Sequence, residues 1–252
     1  ETAIKISEVQ LDEGRAWGFN HSNGLSYIQI LMRMFGADLY APDGKTCTLN
    51  TDEGLAMAKW LWDLRYTFKC TPTPEEQDMG WVQTYREMGT QGMAFQHYMI
   101  LTTWVSAIGD KFEQGITLMP RTPDGHIPSE YRSDAVSITT NTKHLDESWD
   151  ATTYYTSYEY GVMKVLGRCA SPGARPDCWG DRRILDTVKG HDKAKQAMDQ
   201  SQPFYKIYNF RGQEFETALA QSFAPLYENK MTPEEWVEKT IQNLKNNLSK
   251  PR

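Results

Sequence analysis

Met88-Gly89-Thr90-Gln91-Gly92-Met93-Ala94-Phe95 is the stretch whose reading decides the fold class of this chain. It predicts a strand over residues 92–98, and its neighbours give that strand a setting. A helix rich in apolar residues, Leu55 to Phe68, precedes it, and a second one over residues 78–88 runs up to it. Trp104 follows and opens a helix to Phe112, and Gly115-Ile116-Thr117-Leu118-Met119-Pro120 then reads as a strand closed by proline. Helices alternating with short strands indicate the α/β class.

The rest of the chain keeps this rhythm. Leu25, Ile28, Leu31, Met32 and Phe35 fall at helical spacing, with Gly36 as the stop. Asp43-Gly44 forms a tight turn, a short strand leads to Leu49-Asn50, and Thr51 caps the next helix. Asp52 and Glu53 in its first turn suit the positive end of the helix dipole. Thr71-Pro72-Thr73-Pro74 ends that helix in an extended linker. Residues 135–139 alternate like a strand, and helices are expected over 145–156 and on to Leu166. Thr232-Pro233-Glu234-Glu235 supplies a cap, a proline at the first helical position and a capping-box acid. Val237, Ile241, Leu244 and Leu248 then form one apolar stripe. There is no internal repeat and no low-complexity tract.

Composition narrows the class of function. A chain of 252 residues with 39% hydrophobic content can bury a core of one or two domains. A net charge of −6 offers no basic field for nucleic acid or an anionic membrane. No apolar run approaches the roughly 18 residues a spanning helix needs. Glu1 to Glu8 carry no signal peptide and read as the middle of a longer sequence, which is expected of a cytosolic, matured or trimmed chain. Cysteines stand at 47, 70, 169 and 178, without the Cys-x-x-Cys or paired histidines of a zinc site. Cys169 and Cys178 bracket a loop with two prolines and a glycine that a disulfide would close in an exported protein. Cys47 and Cys70 flank a helix and form a second candidate pair, and four buried thiols are the alternative.

Several segments resemble one family when taken in order. Phe35-Gly36-Ala37-Asp38, Asp43-Gly44-Lys45 and Leu49-Asn50-Thr51 are similar to its "Gly-Gly-x-(aromatic), Asp-Gly-Lys, Leu-Asn-Ser" segment. Met88 to Phe95, Trp104 and Gly115 to Pro120 resemble its "Gly-Lys-x-Ala-Met, short strand, Trp, helix, strand ending in Leu-Pro". Ala135 to Thr139, Asn141-Thr142-Lys143 and Trp149 resemble its "Ala-Ile, Ser-Lys, Ala-Trp-x-Phe", and Arg168 to Pro176 stand where it has a Pro-x-Arg loop. The closing Thr-Pro-Glu-Glu helix matches its last one. This is the family of bacterial extracellular solute-binding proteins, the capture subunits of ABC importers, in the group that includes maltose-binding protein. The chain departs from the pattern at Thr90-Gln91-Gly92, where Lys-Ala-Ala is usual, and at Arg132-Ser133, where Gly-Gly is usual. Both departures touch walls of the family's cleft.

The resemblance implies a periplasmic-binding-protein type II-like α/β fold, with two lobes joined by crossing strands and closing on a ligand like a hinge. This chain would supply mainly the carboxy-terminal lobe, in residues 1–135 and in the closing helices of 196–252. Residues 136–195 would return to the amino-terminal lobe, most of whose strands have no counterpart in the sequence. The missing lobe segment becomes a required partner, without which an apolar face and a sheet edge stay open.

Sugar recognition asks for aromatic faces against C–H groups and for planar polar groups against hydroxyls. Through the resemblance, Trp104 aligns with a cleft tryptophan, with a core tryptophan as the competing assignment. Tyr131, Arg132 and Asp134 stand where the family lines its hinge, and a surface salt bridge is the alternative. Trp179 and Arg182 follow the cysteine loop, where a solvated helix start is the alternative. Tyr205, Asn209, Phe210 and Arg211 match the position of aromatic ligand contacts, and Trp17 and Asn20 open the second lobe.

No catalytic residue, cofactor or metal site is expected. Glu130 and Asp134 flank a strand start without the burying environment of a glycosidase acid. The histidines at 21, 97, 126, 144 and 191 are scattered, and the sequence has no nucleophile elbow, phosphate loop or Gly-x-Gly-x-x-Gly. The expected function is the substrate-binding component of an ABC transporter, in the periplasm or outside the cell, lipid-anchored forms included. It would capture a carbohydrate or polyol and deliver it to a membrane permease. The alternatives are a secreted glycan-active enzyme or carbohydrate-binding module, and an interaction fragment with no cleft of its own.

Overall fold

A computed structural model describes residues 1–11, 14–21, 25–41, 43, 46–76, 88–122, 124–131, 135–167, 171–203 and 212–249. The chain divides into two compact units: residues 1–95, 119–130 and 202–252, and residues 96–118 and 131–201.

The first unit opens with α1 (Thr2–Ser7) and an antiparallel hairpin of β1 (Gln10–Leu11) and β2 (Gly14–Arg15), with Gln10 opposite Arg15. β3 (Trp17–Asn20) pairs in parallel with β4 (Gln91–Ala94), in the register Trp17 to Gln91 and Phe19 to Met93. The Met88–Phe95 stretch thus holds a strand, Gln91–Ala94 where 92–98 was expected, and its partner β3 lies some seventy residues upstream. Gly18 on β3 is obligatory, because a Cβ there would sit 1.8 Å from the Ala3 carbonyl oxygen of α1. β5 (Glu130–Tyr131) and β6 (Gln202–Pro203) form a further two-stranded sheet.

The main core lies among α2 (Leu25–Met34), α3 (Asp52–Tyr66), α10 (Gly212–Tyr227) and α11 (Pro233–Ser249). Their inward positions are Ile28, Leu31 and Met32, then Met57 and Leu61, then Phe215, Leu219 and Phe223, then Trp236 and Leu244, all buried. The expected caps are present. Gly36, at φ 89°, ends α2 while its N–H reaches Arg33 O and that of Ala37 reaches Met32 O, a paired closure that only a left-handed residue allows. The Thr51 hydroxyl accepts from the Gly54 N–H at the start of α3. Thr232 and Glu235 exchange hydrogen bonds of 3.1 and 3.2 Å at the start of α11. Val237, Ile241 and Leu244 of the expected stripe are buried, and the side chain of Leu248 lies outside the described set.

The regular elements described in the second unit are, besides Tyr131 of β5, the helices α4 (Tyr98–Ile108), α5 (Leu145–Tyr155), α6 (Tyr158–Leu166), α7 (Pro176–Trp179), α8 (Arg182–Thr187) and α9 (His191–Asp199). A small cluster of Val162, Val165, Cys178 and Ile184 forms its centre.

Residues 96–118 group with 131–201, where Tyr98 bonds to His191 and Gly190 seats directly on Ile116. Three expectations are corrected. The helix expected from Trp104 starts at Tyr98, six residues earlier. Residues 115–119 and 135–139 are irregular, since a strand forms only where a partner backbone completes its hydrogen bonds, and neither finds one among the described residues. Cys47, Cys70 and Cys178 are free, buried thiols. Cys47 lies in the main core and Cys70 in a separate cluster with Phe19 and Leu64, so the two do not meet. Cys178 instead points its Sγ at the Tyr158 carbonyl, 3.5 Å away, and Cys169 lies outside the described residues. The helix expected over 78–88 also falls outside them, except for Met88.

Candidate functional site

In the first unit the expected ligand residues Trp17 and Asn20 share strand β3, whose described residues are all buried. The Arg15 guanidinium lies over the Trp17 ring, 4.8 Å from its centre. Asn20 Oδ1 accepts the N–H of His21 at 2.9 Å. Beyond this strand end, the His21 ring meets Phe19 at a 30° tilt and Tyr227 in an edge arrangement at 73°, each at 6.0 Å between centres. Tyr227 in turn carries the Arg65 guanidinium 3.7 Å above its ring centre.

Arg65 and Tyr227 had no warning in the sequence. They come from the last turns of α3 and α10, which are tied by the Tyr66 hydroxyl donating to the Tyr227 carbonyl and by Trp62 Nε1 donating to Asn229 Oδ1 at 2.9 Å. Arg65 Nη1 donates to Leu61 O at 3.0 Å, and Arg65 has no carboxylate partner among the described residues. Burial pulls its pKa down and pushes the Tyr227 phenol up. The cation is held by a ring face instead of a counter-ion. Arg33 shows the other solution, since it is buried against Asp38 at 2.9 Å with Gln29 as a second donor to the same carboxylate.

In the second unit the indole of Trp179 is buried, stacked on His191 at 5.6 Å and 16°, with the Tyr98 ring 5.2 Å away. Its Nε1 donates to Gly173 O at 2.9 Å. His191 Nε2 lies 3.0 Å from the Trp179 carbonyl, which can only accept, so this nitrogen carries the proton. Nδ1 is then the acceptor, and the Tyr98 hydroxyl donates to it at 2.5 Å. Burial lowers the His191 pKa and raises that of Tyr98, which keeps both neutral.

Arg182, next to this cluster in sequence, is exposed. Its predecessor Asp181 caps α8 by accepting the Arg183 N–H at 2.7 Å. The same carboxylate takes the Arg183 guanidinium at 2.8 Å and the Tyr158 hydroxyl, which hold its pKa well below the usual carboxylate range. Trp104 is buried on α4, and Tyr131 is 41% exposed on β5. Arg132, Asp134, Tyr205, Asn209, Phe210 and Arg211 lie outside the described residues.

The structure therefore brings Trp17 and Asn20 together on one strand and leaves Tyr131 and Arg182 open to solvent. Trp104 and Trp179 are buried within the second unit. Two surface depressions, both on the first unit, include none of these residues. One of about 540 Å³ is lined by Gln213, Glu214, Thr217, Gln221 and Asn243. The other, of about 350 Å³, is lined by Lys59, Trp62, Asn229 and Glu234. Among the described residues no cluster of His, Cys, Asp and Glu could hold a metal ion, and no helix is long and apolar enough to cross a membrane.

No protein-family model and no curated protein matches the sequence. Solved structures do match the fold. The chain is similar to the maltose/maltodextrin-binding domain MalE from Bdellovibrio bacteriovorus bound to maltotriose, at TM-score 0.74 and 15% identity, over 98% of this chain and 66% of that one. An ABC transporter solute-binding protein from Thermotoga lettingae bound with α-D-tagatose gives TM-score 0.74 and 15% identity, over 98% and 64%. UgpB from Mycobacterium tuberculosis in complex with glycerophosphocholine gives 0.70 and 12%, over 91% and 56%. These neighbours are binding proteins. The chain has their periplasmic-binding-protein type II-like fold and spans about two thirds of their length or less.

Proposed function

We propose that this chain is the larger part of a substrate-binding component of an ABC importer, capturing a carbohydrate or polyol for a membrane permease. The observation that carries the reading is the likeness of nearly the whole chain, at TM-scores of 0.72 to 0.74, to proteins solved with maltotriose, maltose and tagatose. The motif order read from the sequence supports it independently. The protein would work in the periplasm or outside the cell, free or lipid-anchored. Capture would be a shift of population between open and closed states, with no bond made or broken.

Tyr131 and Arg182 are the described candidates whose side chains are open to a ligand. With Arg132, Asp134, Tyr205, Asn209, Phe210 and Arg211 they form the proposed contact set. Trp17, Asn20, Trp104 and Trp179 are buried in this structure.

The test is a thermal-shift screen against neutral sugars, polyols and sugar acids, followed by chemical recovery of the best ligand. A ligand that binds only the folded state at a hundredfold excess over Kd adds about 2.7 kcal/mol, enough for a shift of several degrees. Recovery of the ligand unaltered is the expected result. A ligand returned cleaved or oxidised would replace the receptor with a glycan-active enzyme, and silence across all sugars would move the cargo to another chemical class.

A further inference from the structure

Three consecutive residues, Lys189-Gly190-His191, each hold the segment 96–118 within the second unit. Lys189 Nζ donates to Glu113 at 3.2 Å, with both side chains well exposed, so this pair adds little. Gly190, at φ 82°, lies so close that a Cβ on it would fall 2.2 Å from Ile116 Cδ1. His191 is fully buried and accepts from the Tyr98 hydroxyl at the start of α4. The apolar cluster of the unit, by contrast, includes no residue of α4. The bond from Tyr98 is thus a buried, directional tie on a helix that the unit's small core does not hold.

That tie has one polarity. The Trp179 carbonyl fixes the proton on Nε2, and Nδ1 accepts only while the ring is neutral. A second proton would make Nδ1 a donor aimed at a hydroxyl that is itself donating. The Tyr98 oxygen could receive it only by sending its own proton elsewhere, and this hydroxyl has no other hydrogen-bond partner among the described residues. The surroundings do not make up the loss. Tyr98 faces the ring from α4 and Trp179 from α7, both without charge. On α9 itself Asp192 favours a cation and Lys195 opposes it, and burial outweighs them and lowers the His191 pKa.

We propose that His191 is a proton-operated latch: a proton on Nδ1 reverses the bond to Tyr98 and releases α4 from α7 and α9 while the small core of the unit stays folded. The latch does not depend on the cargo, so a failed sugar screen leaves it standing.

Hydrogen–deuterium exchange at pH 8 and pH 5, corrected for intrinsic rates, tests it. Release frees an imidazole that titrates near 6.5, so the opening constant rises by up to about tenfold per pH unit below that value. Amides of Tyr98–Ile108 should lose about 10- to 30-fold of their protection at pH 5 and exchange faster there than those of α6. Tyr98→Phe should lower the protection of α4 already at pH 8. His191→Gln, which cannot take the proton, should abolish the pH step whatever its own level of protection. Equal protection of α4 at the two pH values overturns the latch, as does a step that survives in His191→Gln or a Tyr98→Phe variant as protected as the wild type. Rates for α4 and α6 that merge at pH 5 overturn it in favour of unfolding of the whole unit.

Discussion

The two units hold themselves together by different means. The first joins four helices around one large apolar cluster, with Trp236, Phe223, Phe215 and Leu61 fully buried. The second has a compact cluster of four buried residues and relies on directional contacts: Tyr98 to His191, His191 to the Trp179 carbonyl, and Asp181 to Arg183 and Tyr158. Burial is non-directional and tolerates adjustment, whereas hydrogen-bonded networks in a dry setting depend on protonation and geometry. The second unit should therefore be the more sensitive to pH, and the first to loss of volume.

The largest expected effect tests the first half of that contrast. Trp236 is fully buried, packs on Phe223 at 4.7 Å and donates to Ser222 O at 2.7 Å. Trp236→Ala removes a large apolar volume together with that hydrogen bond, so urea unfolding of the first unit should lose about 3–5 kcal/mol. A loss under 1 kcal/mol would mean that the four-helix cluster is not its main support.

His191→Leu comes next. It leaves the Tyr98 hydroxyl without its acceptor, at an expected cost of about 1–3 kcal/mol. The pH dependence gives the sharper reading. Burial, the first cause, lowers the folded pKa of His191, with the Trp179 carbonyl and Asp192 opposing and Lys195 assisting. The unfolded imidazole, at about 6.5, therefore takes a proton before the folded one does. Stability from this group is complete above that pH and declines as pH falls below it towards the lowered value. The decline should be absent in His191→Leu, and a wild-type protein as stable at pH 5 as at pH 8 would remove His191 from the account.

Asp181→Ala removes a helix cap, with an expected loss of about 0.5–2 kcal/mol. Because Arg183 first and Tyr158 second hold the Asp181 pKa down, its contribution is present above the ordinary carboxylate pKa of about 3.9 and is lost as pH falls through the depressed one. The acid limb should thus lie well below the histidine limb, and Asp181→Ala should remove only the former. The smallest effect is expected from Trp149→Asp, within about 0.5 kcal/mol, because the side chain is 64% exposed.

Legibility in the sequence follows the same division. The capped helices of the first unit were readable from Gly36, Thr51 and Thr232-Pro233-Glu234-Glu235, because a cap acts on backbone groups within one turn. Residues 115–119 and 135–139 were expected as strands and are irregular, since a strand is completed by a partner elsewhere. The candidate site was less legible. Trp104 and Trp179 carry the residue type of a sugar platform, yet ring chemistry does not say which neighbours cover the ring. Arg65 and Tyr227 were invisible because their contact joins the ends of two helices far apart in sequence.

By itself the sequence determined the α/β class, the ends of the capped helices and the strand that follows Gly89, all of which rest on interactions within a few residues. The motif order also pointed to the fold that the structural neighbours share. Only the tertiary structure decided that residues 96–118 join 131–201, that Cys47 and Cys70 stay apart, and that a ring holds the charge of Arg65. Such outcomes depend on which distant surfaces meet, and the free energy of burying a side chain belongs to that meeting and not to the residue alone.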